Sequence, residues 1–100
     1  MRILIVDDNV DAAFVLSILL KRLDHEVHAT HGGEQAIELM EGFRPDVVFL
    51  DIGMPGMDGY EVCRRMRQLP GTDKCHIVAL RAGDKKRTRL APAKQVLMII

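Results

Sequence analysis

The chain has 100 residues, the length of one small domain. Hydrophobic residues make up 48% and charged ones 28%, and 14 basic side chains cancel 14 acidic ones, which excludes a disordered, collagen-like or supercharged chain. No apolar run approaches the roughly 20 residues of a membrane helix, and Met1 leads straight into an acidic stretch with no small-residue cleavage site, so the sequence predicts a cytoplasmic protein with Cys63 and Cys75 as reduced thiols.

Ile3-Leu4-Ile5-Val6 is a continuous apolar run that reads as a strand buried on both faces, as in a parallel sheet. Asp8 and Asn9 are helix-capping types, and Ala12, Val15, Leu16, Leu19 and Leu23 repeat at helical spacing, predicting a helix over about 11–23 with that stripe inward. Phe14 and Ile18 form a smaller second stripe, with two readings: burial at the edge of the core, or contact with a second copy in a homodimer. Glu26 to Thr30 is short and β-like, and His31-Gly32-Gly33 is a turn. Residues 34–42 read as a helix with Ala36, Ile37 and Met40 inward and Gly42 as its C-cap candidate. Asp46–Asp51 is a second buried strand, ending in a carboxylate. The turn-rich block Met54-Pro55-Gly56-Met57-Asp58-Gly59 follows, then a helix over about 60–69 with Val62, Met66 and Leu69 inward. Ile77–Leu80 is another buried strand. The order β-α-β-α-β-α-β predicts a doubly wound α/β fold. His25, His28, His31 and His76 read as surface or edge residues, since 25, 28 and 31 do not share one face of a strand.

Charge is unevenly spread. Residues 1–80 carry 13 acids against 8 bases, a net of −5, while 81–100 carry six bases against Asp84, a net of +5. The periodicities also stop there, which divides the chain into a core over 1–80 and a divergent segment over 81–100. The segment is basic and polar over Arg81–Arg89 and strongly apolar over Val96–Ile100. It has two readings, a shortened helix plus a makeshift strand that covers the edge of Ile77–Leu80, or a foreign end left by frameshift or truncation, and the loss of pattern with the inversion of charge favours the second. Its bases lack interleaved aromatics, so a solvated stretch is preferred to a nucleic-acid surface.

The chemistry lies at the strand ends. In a doubly wound sheet, ligands bind at the carboxyl ends of the strands, where the winding reverses. Asp7 and Asp8 follow the first strand and Asp51 ends the Asp46–Asp51 strand. If those two strands are neighbours, three carboxylates converge, and like charges so placed call for a hard divalent cation such as Mg²⁺. A strand-end Asp beside such a cation can also attack phosphorus and form an aspartyl phosphate.

The run Ile3–Asp8, Asp51 at the end of its strand, and the block Met54–Gly59 resemble the receiver domain of two-component response regulators over residues 1–80. The resemblance implies a flavodoxin-like sheet of order 2-1-3-4-5. It implies that Asp51 accepts a phosphoryl group from a phosphohistidine on a sensor histidine kinase or phosphotransfer protein. It implies that Asp7 and Asp8 bind Mg²⁺, one directly and one through water, with the backbone carbonyl of Gly53 as a further ligand. Phosphorylation would then shift a two-state equilibrium.

This chain departs from that pattern after residue 80. Receivers end the fourth strand with Thr or Ser, whose hydroxyl bonds the phosphoryl group; here the position is Arg81, followed by a fitting Ala82. The family's Lys-Pro after a fifth strand has no match, because Lys94 precedes Gln95 and an apolar run. The aromatic switch residue and the last helix are also absent from 81–100. Two functions stand side by side: a phosphorylatable receiver, and a receiver-like binding module or truncated fragment that does not switch, with Arg81 pairing with Asp51 in place of the cation. A third function, a Mg²⁺-dependent phosphatase acting on other molecules, is disfavoured, since it needs an acid/base carboxylate where Gly53 stands.

Overall fold

A computed structural model describes residues 1–56, 58–82 and 94–99, with backbone alone for 81–82 and 94–99. Five strands form one sheet in the order β2-β1-β3-β4-β5: β1 Arg2–Val6, β2 Glu26–Thr30, β3 Val47–Asp51, β4 His76–Ala82 and β5 Lys94–Ile99. The helices are α1 Val10–Arg22, α2 Gly33–Phe43 and α3 Gly59–Arg67. The first four strands are parallel, with Ile3 opposite Val27 and Val47, and Asp51 opposite Leu80. The doubly wound, flavodoxin-like fold and its strand order stand as expected.

Side-chain alternation along the strands divides the core into two layers. Leu4, Val6, Val48, Leu50 and Ile77 face α2 and α3 and pack with Ala36, Met40, Phe43, Val62 and Met66. Ile3, Ile5 and Val27 face α1 and pack with Ala13, Leu16 and Leu20. Leu4, Val6, Val48, Leu50 and Ile77 are fully buried, and each such side chain contributes about 1.5–3 kcal/mol. Their apolar faces are what make these short segments strands.

Three expectations are corrected. The inward side of α1 is not the Ala12-Val15-Leu16-Leu19-Leu23 stripe. Ala13 and Ser17 are buried, Leu16 and Leu20 pack beside them, and Val15, Leu19 and Leu23 are exposed at 57%, 53% and 66%. The helix is apolar nearly all round, so two faces compete. The small side chains of Ala13 and Ser17, one turn apart, let its backbone lie close on the sheet. Edge burial of the Phe14 and Ile18 stripe is corrected with it: both lie on the solvent side. Finally, Gly42 is not a cap. It lies inside α2, which ends at Arg44 in the left-handed region (φ 52°) with its N–H bonded to the Met40 carbonyl.

β5 runs antiparallel to β4, pairing Val78 with Ile99 and Ala82 with Lys94, with an irregularity between Ala79 and Leu80. It lies along the β4 edge. The shortened helix of the tail's first reading and the basic run through Arg89 fall on 83–93, outside the described residues, as do the side chains of Arg81 and Lys94. Among the described residues, no helix is long and apolar enough to cross a membrane.

Candidate metal centre

The chain winds outward from β1 to β2, then crosses to the other side of β1 to place β3. That reversal makes β1 and β3 neighbours and opens a crevice at their carboxyl ends. Asp7 stands directly after β1, Asp8 beside it, and Asp51 is the last residue of β3. One carboxylate oxygen from each lies within 4.8 Å of the others. Asp7 and Asp51 are buried, at 6% and 4% exposure, and Asp8 is exposed.

The surrounding backbone is organised around these groups. The Asn9 N–H donates to Asp7 Oδ1 at 2.9 Å, and the Gly53 N–H donates to Asp51 Oδ1 at 2.8 Å. Hydrogen bonds to a charged acceptor are the stronger kind, and these two fix the orientation of both carboxylates. Asn9 also caps α1, its Oδ1 accepting from the Ala12 N–H at 3.0 Å. Asp58 caps α3 by accepting from the Tyr60 N–H at 2.9 Å. The N-terminus of α3 sits close against the loop after β3. A Cβ on Gly59 would lie 2.7 Å from the Ile52 Cα, so only glycine permits that approach.

The donor set fits a hard divalent cation. It is all oxygen, it carries three carboxylates, and two of them are buried where their mutual repulsion is poorly screened. It does not fit a soft metal, since Cys63 and Cys75 lie in the apolar layer under α3. Burial pushes both thiols above their ordinary range, and the nearby Arg67 guanidinium offsets this only in part.

Each site residue expected from sequence can be placed. Asp7, Asp8 and Asp51 come together; Gly53 is held against Asp51 through its N–H. Arg81 follows Leu80, the β4 residue paired with Asp51, and so its backbone lies at the same end of the sheet. Two groups of this end escaped the sequence reading. His31 Nδ1 lies 2.9 Å from the Asp7 carbonyl oxygen, and the Thr30 hydroxyl donates to the Ile5 carbonyl at 3.1 Å. The signal that finds them is register: Thr30 pairs with Val6, so the residue after β2 lies beside the residue after β1. Among the described residues, two polar clefts of about 360 and 210 Å³ lie at the opposite end, around Arg2, Arg44 and Asp46, away from Asp7, Asp8 and Asp51.

Comparison with known proteins gives a consistent picture. The family model of the response regulator receiver domain matches residues 3–97. The chain is 38% identical over 82 residues to the transcriptional regulatory protein AfsQ1 of Streptomyces coelicolor, covering 82% of this chain and 35% of that protein. It therefore spans about a third of that relative's length. A CheY-like receiver domain from Methylobacillus flagellatus superposes with a TM-score of 0.76 at 26% identity, over 89% of this chain and 75% of that one. A response regulator structure from Chloroflexus aurantiacus superposes with a TM-score of 0.73 at 37% identity, over 85% and 70%. With the sheet order, the convergent strand-end carboxylates and these likenesses together, the chain belongs to the receiver domain family of two-component response regulators.

Proposed function

We propose that this chain is a phosphoacceptor module, with Asp51 as the residue that takes the phosphoryl group. The observation that carries the proposal is the meeting of the Asp7, Asp8 and Asp51 carboxylates within 4.8 Å at the reversal of the sheet. The donor is a phosphohistidine of a sensor histidine kinase or phosphotransfer protein. A carboxylate oxygen of Asp51 attacks phosphorus, the P–N bond breaks, and the donor imidazole leaves and takes up a proton. Asp7, Asp8, Asp51 and the Gly53 carbonyl are the groups that would hold Mg²⁺. When bound, Mg²⁺ supplies neutralisation of charge on the transferring phosphoryl group. The rest is the work of the chain: Gly53 fixes Asp51 through its N–H, and Asn9 fixes Asp7. All of these lie in the 1–80 core, the chain acts on no other substrate, and its place is the cytoplasm.

The test is the intact mass of the folded chain after incubation with Mg²⁺ and acetyl phosphate, beside Asp51→Asn. The expected result is a gain of one phosphoryl group, absent without Mg²⁺ and absent in the variant. A folded chain that gains nothing overturns the proposal.

A second reading, a receiver that is impaired in switching, is favoured by one observation. Arg81 occupies the position beside the Asp51 level of the sheet where the family resemblance expects a hydroxyl. On this reading, Arg81→Thr lengthens the lifetime of the phosphorylated form or restores its conformational response. An unchanged lifetime and response would sink it.

A further inference from the structure

The outward side of α1 is apolar along its length. Phe14 is 63% exposed, with Val15, Ile18 and Leu19 beside it, and the described elements packed against the helix are β1 and β2 on its other side. At about 100° per residue, Asp11, Val15, Ile18 and Arg22 form one seam, spaced four, three and four, directly opposite buried Ala13 and Ser17 and partly buried Leu20. Phe14 and Leu19 flank that seam. Its two ends carry opposite charge, exposed Asp11 in the first turn and exposed Arg22 in the last, and neither has an ion-pair partner among the described residues.

Such a seam is complementary to itself when turned end for end. In an antiparallel pair about a two-fold axis, Asp11 meets Arg22 of the second copy and Val15 meets Ile18, while each flank stays on its own side of the axis, so that Phe14 faces Phe14 of the second copy and Leu19 faces Leu19. Every acid faces a base and every apolar group faces an apolar group. A parallel pair would instead stack Asp11 on Asp11 and Arg22 on Arg22. We infer that the outward side of α1 is a homodimer surface, occupied by α1 of a second copy in antiparallel orientation. The symmetry makes the contact isologous and closed, so assembly stops at two. A helix pair of 13 residues each is smaller than a standard interface of about 800 Å² per partner, so the dimer is a weak, concentration-dependent one. The inference is independent of phosphorylation at Asp51.

The test is sedimentation velocity of the full chain between about 5 and 500 μM. The expected result is a rise from the 11.2 kDa single-chain mass toward twice that value. Phe14→Glu, at an exposed position where folding is not at stake, should weaken the dimer at least about tenfold by burying an unpaired charge. Asp11→Arg and Arg22→Asp alone should each weaken it about two- to tenfold, the range for exposed ion pairs made twice by symmetry. The double variant D11R/R22D should return to within about twofold of the parent, because the pair is re-formed with its signs exchanged. Far-ultraviolet circular dichroism checks that each variant keeps α1. A single-chain mass at all concentrations overturns the inference, whether because the face is simply solvated or because another segment of a longer chain covers it. So does a dimer that ignores Phe14→Glu, or one that the double swap fails to restore.

Discussion

Two glycines in otherwise similar helical settings should respond to alanine in opposite ways. A Cβ on Gly59 would come within 2.7 Å of the Ile52 Cα and 2.9 Å of its Cβ, and Ile52 adjoins Asp51. Neither backbone can yield without moving the carboxylate. Gly59→Ala should therefore destabilise the fold by about 1–3 kcal/mol and slow phosphoryl uptake at Asp51. A Cβ on Gly42 meets nothing within 4 Å, so Gly42→Ala inside α2 should stabilise by about 0.5–1 kcal/mol. Thermal unfolding reads both, at about 4–8 °C per kcal/mol for a chain of this size. A Gly59→Ala chain as stable as the parent would mean that the α3 terminus is free to move away from the site. At this scale the sequence is informative about chemistry and poor about neighbours. Asp7, Asp8 and Asp51 are legible because carboxylates at the ends of apolar strands have few structural uses. The contact of His31 with the Asp7 carbonyl is not legible, because it joins residues 24 apart in the chain.

Among the elements, α1 and α3 show when helical periodicity can be trusted. In α3 the inward Val62 and Met66 alternate with Arg64, Arg65 and Arg67, so only one face can be buried and the reading from sequence holds. Arg65 also reaches across to Glu34 of α2 at 2.7 Å, which holds the Glu34 carboxyl below its usual range. Both groups are exposed, so this pair adds little to stability. The packing under α3 matters more. Met66 is fully buried, and Met66→Ala should cost about 2–5 kcal/mol, read as a fall in the midpoint of urea unfolding with the slope unchanged. In α1 the charged residues are few and confined to the ends, so two faces are apolar enough to compete. Which one turns inward depends on the fit against Ile3, Ile5 and Val27, and that fit favours the small Ala13 and Ser17.

Taken as a whole, the molecule should be more sensitive to alkali than its composition suggests. Cys63 and Cys75 sit in the larger apolar layer, where burial raises both thiols above the ordinary value of 9.0. The folded chain then holds those protons more tightly than the unfolded chain. The stability they contribute is complete below the unfolded thiol value and is lost as pH rises through the folded one. Urea unfolding should give a stability that is level from neutral pH to about pH 8.5 and declines above it. The double variant C63A/C75A should decline less steeply over the same interval, and equal slopes would show that the thiols do not carry the effect. Strand composition, the order of elements and the position of each acid at its strand end were determined by the sequence itself, because these depend on interactions within a few residues. The neighbouring of β1 and β3 that brings three carboxylates within 4.8 Å was decided only in the tertiary structure. So were the face that α1 turns to the sheet and the antiparallel course of β5. Each of these is a choice among pairings that are locally equivalent, and it is settled by packing and hydrogen bonding between segments far apart in the chain.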